Sequence, residues 1–323
     1  MRLRFKLFVC GLAVWLAGRV WGQDLSPRAY VITPRDLNAV VLTYSYFNGG
    51  IDLNGAIPIE GVTATGVYSV PSLSYYHSFG IYGHSANVTF TLPYGVGNFY
   101  GEAGNLKASV YRSGLADVVT RLSVNLIGGP ALPLQDFVKW RQKVLIGASL
   151  KVVAPSGQYS SQKLINWGIN RWGFKPEVGY SERWGNWLLD AYGGAWFYTA
   201  NPAYFARPLP RYQTEEPIGS FEGHVSRNFG PGTWASLDGN FWWGGVTSLN
   251  GIRNPDTKQT SSRVGGTFAW RFSSHQSLKL SYSDGTYVRF GGNYHSVQVG
   301  WQYSWIGWRG KEKKAGSAAG AGQ

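Results

Sequence analysis

Nine ionisable side chains could act together: Lys151, Glu177, Asp190, Glu222, His224, Asp238, Arg263, Arg271 and Lys279. Each falls on the polar parity of a segment whose alternate residues are apolar, and Arg121, Arg171 and Lys175 share that placement. Opposite charges facing one enclosed space can shape a path for a solute, or pair and hold a wet interior together. His224 has the parity of Glu222, but no second His or Cys stands at ligand spacing, so a polar network is expected there and no metal or cofactor. Nucleophilic and nucleotide chemistry lack their motifs. "GVGNFYG" from Gly95 misses the dinucleotide spacing by one residue and lies in a loop, and the chain has neither a phosphate-binding loop nor a G-x-S-x-G elbow. The expectation is a protein that is not an enzyme.

The elements that must position these charges follow from a period of two. In "SVQVGWQYSW", Ser296 to Trp305, every second residue is apolar, the pattern of a strand whose side chains alternate between two faces. The pattern recurs in about twelve segments, near 37–47, 67–79, 83–94, 115–127, 140–154, 169–181, 186–198, 217–229, 233–246, 259–272, 276–287 and 294–308. None of the chain after its N-terminus is apolar for the 18 residues a membrane helix needs, whereas strands of this length can cross a tilted path through a bilayer. An even number closes a barrel with both ends on the periplasmic side. Short connections at 80, 182, 230 and 273 alternate with long ones at 48–66, 95–114, 155–168, 199–216 and 247–258, the asymmetry of periplasmic turns and extracellular loops. Two connections depart from it, 128–139 being long for an inner turn and 288–293 short for an outer loop. The expected fold is therefore all-β, an antiparallel transmembrane barrel of about 12 strands.

Composition agrees. Charged residues are 15% where about 25% is usual, and 15 Trp, 20 Tyr and 16 Phe supply rings for the two membrane interfaces. Residues 1–22 read as a secretory signal: Arg2, Arg4 and Lys6, then an apolar stretch from Leu7 to Ala17, then Val20-Trp21-Gly22 before the expected cleavage. They contain Cys10, the one cysteine, so the mature chain has no thiol or disulfide chemistry. The remaining basic surplus is modest and scattered apart from "RGKEKK", which argues against nucleic acid. The organisation expected is 1–22 signal peptide, 23–308 barrel, and 309–323 a disordered basic, Gly/Ala-rich tail. Gln298, Gly300, Tyr303 and Trp305 resemble the C-terminal signal read by the barrel-assembly machinery, although the chain runs 18 residues past Trp305.

Longer strings carry a further likeness. "PRAYVITP" from Pro27, "VPSLSYYHSFG" from Val70, "ANVTFTLPYGVGNF" from Ala86, "KLINWGINRWGFKPEVGYSERWGNWLLDAYGGAWFYT" from Lys163, "SLDGNFWWGG" from Ser236 and "LKLSYSDGTYVRFGGNYHSVQVGWQYSW" from Leu278 resemble the outer-membrane transporter family named for the MetA (meta-cleavage) pathway of phenol degradation. The likeness runs from about Pro27 to Trp305. It implies a channel of the Gram-negative outer membrane for passive uptake of small hydrophobic or aromatic compounds, with outer-membrane lipid, the assembly machinery and the solute as partners. It supplies no ligand residues. A structural or adhesive barrel with a closed lumen, or an outer-membrane lipid hydrolase, are the alternatives from other classes; the residues name neither the solute nor the oligomeric state.

Overall fold

The computed structural model describes residues 25–52, 62–103, 106–163, 165–205 and 211–307. The proposed signal, 1–22, and the tail, 309–323, lie outside the described residues. The strands are β1 (Leu37–Asp52), β2 (Val62–Ile81), β3 (His84–Ala103), β4 (Leu106–Leu115), β5 (Val119–Ile127), β6 (Val144–Val153), β7 (Gly173–Trp184), β8 (Trp187–Tyr198), β9 (Asn201–Tyr204), β10 (Arg211–Glu215), β11 (Ile218–Gly230), β12 (Thr233–Gly244), β13 (Thr247–Leu249), β14 (Ile252–Asn254), β15 (Gln259–Arg271), β16 (Gln276–Val288) and β17 (Gly291–Ile306).

Antiparallel pairing runs without a gap from β1 through β2, β3, β5, β6, β7, β8, β11, β12, β15 and β16 to β17, which returns to β1. The fourth stave is broken: β4 pairs the outer half of β3 and β5 its inner half, with Ala116 to Val118 between them. The result is a closed barrel of 12 staves. Closure pairs β1 with β17 from Leu37–Ile306 to Asp52–Gly291, so no strand edge is left along the seam. The short turns and both ends of the barrel chain lie at one mouth, the periplasmic one.

The faces are those the alternation requires. Leu42, Phe90, Leu122, Leu150, Val178, Leu237, Val264 and Val299 stand exposed on the outside, while Ser123, Ser149, Ser181, Ser226 and Ser236 are buried on the inside. A surface of this kind is stable only in contact with hydrocarbon, and it makes the protein an outer-membrane barrel in lipid. Val299, near the middle of β17 and 39% exposed, should therefore tolerate Arg poorly. We expect Val299→Arg to cost roughly 2 to 4 kcal/mol and Gln302→Arg, on the inner parity, much less; equal losses in a liposome unfolding assay would refute the register.

Structure extends further outward than the hydrophobic pattern does. Much of 48–66 and 95–114 is strand, carrying β2, β3 and β4 beyond the apolar band. The loops around 199–216 and 247–258 form a second, four-stranded sheet in the order β14-β13-β10-β9. There Arg253 donates to Glu216 at 2.6 and 3.1 Å, which holds that carboxyl below the usual range. The long inner connection contains one helical turn, Leu134–Phe137.

Candidate functional site

The candidate site is the inner face of the barrel at mid-height. Strand register sets the first row: Asp190 of β8 stands opposite His224 of β11, and His224 opposite Asp238 of β12. One residue pair outward, Glu222 faces Asn240, which in turn faces Arg263 of β15. On the other side Arg121, Lys151 and Lys175 lie side by side across β5, β6 and β7. Two bases or two acids in such rows repel at close range, so the side chains connect between rows.

The connection alternates in sign. Arg121 approaches Glu177 at 3.6 Å; Lys175 lies between Glu177 at 2.7 Å and Glu222 at 3.1 Å. His224 continues from Glu222, with Nε2 at 3.5 Å and Nδ1 at 2.9 Å from Asp238, and Thr267 donates to the far oxygen of Asp238 at 2.8 Å. Lys175, Glu222, His224 and Asp238 are all buried. A buried ion is tolerated when a charge of opposite sign stands close to it, and the ladder supplies one at each step from β5 to β12, although His224 Nε2 makes no hydrogen bond among the described residues.

A segment of the chain is seated on the ladder. Leu25 to Asp36, ahead of β1, runs inside the barrel, and its backbone is held by side chains of the wall. Ser26 N–H donates to Glu222 at 3.3 Å, Arg28 N–H to Asp190 at 3.2 Å, and Ala29 N–H to the Tyr192 hydroxyl at 3.0 Å. The Arg28 guanidinium donates to Ser226 and Asn228 and lies 4.2 Å over the Trp234 ring. Arg121 donates to the Ala29 carbonyl and covers the Tyr30 ring at 4.9 Å. Tyr30 is 1% exposed, donates to Glu177 at 3.0 Å and meets Ser149 at 3.0 Å.

Two glycines make room for that ring. Gly147 of β6 and Gly179 of β7 are register partners, and a Cβ on either would come within 2.4 or 2.1 Å of Tyr30 carbons. Glycine in mid-strand is favoured where another group must approach the backbone this closely. Toward the outer mouth, two apolar layers cap the ladder. One contains Phe47, Tyr68, Phe99, Trp167 and Tyr294, with Phe47 and Tyr68 stacked at 4.8 Å. The other contains Val119, Val153, Ile169, Trp196, Ile218 and Trp242. A cavity of about 20 Å³, room for about one water, lies between Leu25 and the wall at Arg263, Thr267 and Ser283.

Of the nine residues singled out, Glu177, Glu222, His224 and Asp238 meet in the ladder, and Asp190 lies against the segment. Lys151 instead sits 5.8 Å over Trp196, and Arg263 lies 4.3 Å over Tyr294 while donating to Ser283. Arg271 and Lys279 stand exposed toward the periplasmic mouth, away from the ladder. Arg171 pairs with Glu215 and lies over Tyr198. In β17, Tyr303 is exposed on the lipid face and Gln298 and Gly300 have the inner parity. Sequence reasoning did not find Arg28, Tyr30 or their socket, although Gly147 and Gly179 are a legible signal for it. Among the described residues no group of His, Cys, Asp and Glu is arranged to hold a metal ion.

The sequence pattern of the family described as "Putative MetA-pathway of phenol degradation" matches residues 47–299. No curated protein matches the chain. The structure of an outer membrane channel from Pseudomonas putida F1 superposes with a TM-score of 0.71 at 18% identity, over 87% of this chain and 100% of that one. The transport unit of the autotransporter AIDA-I from Escherichia coli gives 0.51 at 11% identity, over 91% and 97%. At such identities the likeness is one of fold.

Proposed function

This chain belongs to the family of the MetA pathway of phenol degradation, and from that premise we propose that it is an outer-membrane channel for passive uptake of small hydrophobic or aromatic compounds. The observation that carries the reading is the way the lumen is filled. From Ser26 to Tyr30 the inner segment is held by side-chain hydrogen bonds and one ring in a glycine socket, with no β-ladder of its own, and its backbone bonds to the barrel fall at its base, at Arg35 and Asp36, so this part can leave without breaking the wall. A solute would enter past the aromatic outer layers. Withdrawal of Tyr30 and Arg28 would then uncover Glu177, Asp190 and Glu222, leaving a charged waist that sets what passes. The name of the channel that shares this fold supports the same reading.

We also propose that the protein performs no reaction and that β17 is the strand handed to the barrel-assembly machinery. The burial of the ladder favours a second reading, a structural barrel whose lumen stays closed. Planar bilayers and proteoliposomes decide between them. The channel reading expects conductance steps and entry of small aromatics faster than into empty liposomes; folded protein that admits neither leaves the closed barrel. Ester cleavage by the folded protein would instead favour a hydrolase.

A further inference from the structure

On the lipid face of β8, β11 and β12 lies a feature that the lumen does not explain. Ala191, Gly223 and Gly239 are neighbours in register across the three strands, and all have the outward parity. With strands about 4.8 Å apart, they make a trough about 10 Å wide. Gly193 extends it along β8. Packing within the chain does not call for these glycines: a Cβ on Gly193 would meet nothing within 4 Å, one on Gly223 only Phe221 at 3.8 Å, and one on Gly239 only the Gly223 carbonyl at 3.9 Å. None of the three has a left-handed backbone. Mid-strand glycine without either cause marks a place where something from outside comes close.

Four residues toward the periplasm along β11, about 13 Å away, stands Arg227. It also faces outward, level with the Trp187 to which it is paired in register. Its guanidinium lies 5.3 Å over Trp187 and 5.7 Å over Phe229, held by two rings of the interfacial belt, and no carboxylate is bonded to it among the described residues. A fixed guanidinium with free donors matches a phosphate oxygen pair. We propose that Arg227 and the trough above it form a binding site for one phospholipid of the periplasmic leaflet, with the phosphate on the guanidinium and an acyl chain along Gly223 and Gly239.

Native mass spectrometry of the full chain released from nanodiscs of phosphatidylethanolamine and phosphatidylglycerol tests this. We expect one retained phospholipid, and a loss of about fivefold in retention for Arg227→Gln, equivalent to about 1 kcal/mol for one base at the headgroups. Gly239→Leu, which fills the trough, should lower retention as well, whereas Lys139→Gln, an exposed base elsewhere on the same rim, should not. Heat-modifiable migration checks that each variant is folded, and Arg227→Gln decides the matter if Gly239→Leu is not. No retained lipid, or equal losses for Arg227→Gln and Lys139→Gln, would overturn the site. A Gly239→Leu variant that changes oligomeric mass but not lipid retention would do so too, marking the trough as a contact with a second copy.

Discussion

Gly179→Val should open the channel. The β-carbon alone would stand 2.1 Å from a Tyr30 ring carbon, far inside contact distance, and Gly147 across the ladder leaves the ring no slack because its own β-carbon position is 2.4 Å away. The two glycines flank opposite edges of a rigid ring, so a small rotation away from one brings it onto the other. The ring must leave. With it go the bonds to Glu177 and Ser149, and the cover over Arg121. Valine suits a strand better than glycine does, so the wall itself should not suffer. Single-channel recording should show conductance rising on the order of tenfold, from rare small steps to sustained ones, as expected when an ordered plug ceases to exclude ions from a polar lumen. Tyr30→Ala should move conductance the same way. If both variants conduct like the wild type, segment 25–36 is not the gate.

Lys175→Met should be the most destabilising single change on the inner face. Among the described residues the Lys175 ammonium is the cation lying between Glu177 and Glu222, and all three side chains are at most 10% exposed. Methionine matches the stem and keeps the packing, but leaves two carboxylates facing each other in a low-dielectric interior. Removing one partner of a buried pair costs about 3 to 5 kcal/mol. The loss should be seen in denaturant unfolding from liposomes. Its origin is checked by Lys175→Met/Glu222→Gln, which removes charge from both sides and should recover part of the loss, because groups in one network do not add independently. A double variant whose loss equals the sum of the singles would show that the ladder is not coupled.

The staves were readable where lipid imposes a pattern. From Val119 to Val153 and from Gly173 to Tyr198 the outside must be apolar and the inside polar, so a period of two survives in the sequence and gives each strand's place to within a few residues. Above the bilayer that demand ends. Gly95, Gly97 and Gly101 interrupt the alternation of β3, and 95–103 therefore read as loop although its backbone is laddered to β4 throughout and to β2 from Val96 onward. The break at Ala116 to Val118 was hidden for a different reason: a stave made of two pieces has the same alternation as one piece.

The charges of the ladder were found by parity, but parity does not say which of them meet. Lys151 has the same spacing as Lys175 and stands beside it, yet turns to Trp196. The segment from Leu25 to Asp36 was invisible because its contacts are with residues far away in the chain and mostly engage its backbone, which any sequence possesses. Only Tyr30 leaves a trace, as two mid-strand glycines that are register partners on neighbouring strands.

The extended hairpins have a consequence for how the cell is met from outside. Twenty residues in each of β2 and β3, at about 3.3 Å per residue and a tilt of about 40°, rise about 50 Å, twice the ~25 Å apolar band of such barrels. The excess stands among the sugars of the outer leaflet. Ordinary surface loops there are soft and readily cut, but these rungs are paired to β1 and β4, so a protease finds no unpaired chain along them. An antibody or phage tail arriving along these strands meets hydrogen-bonded sheet in place of loop.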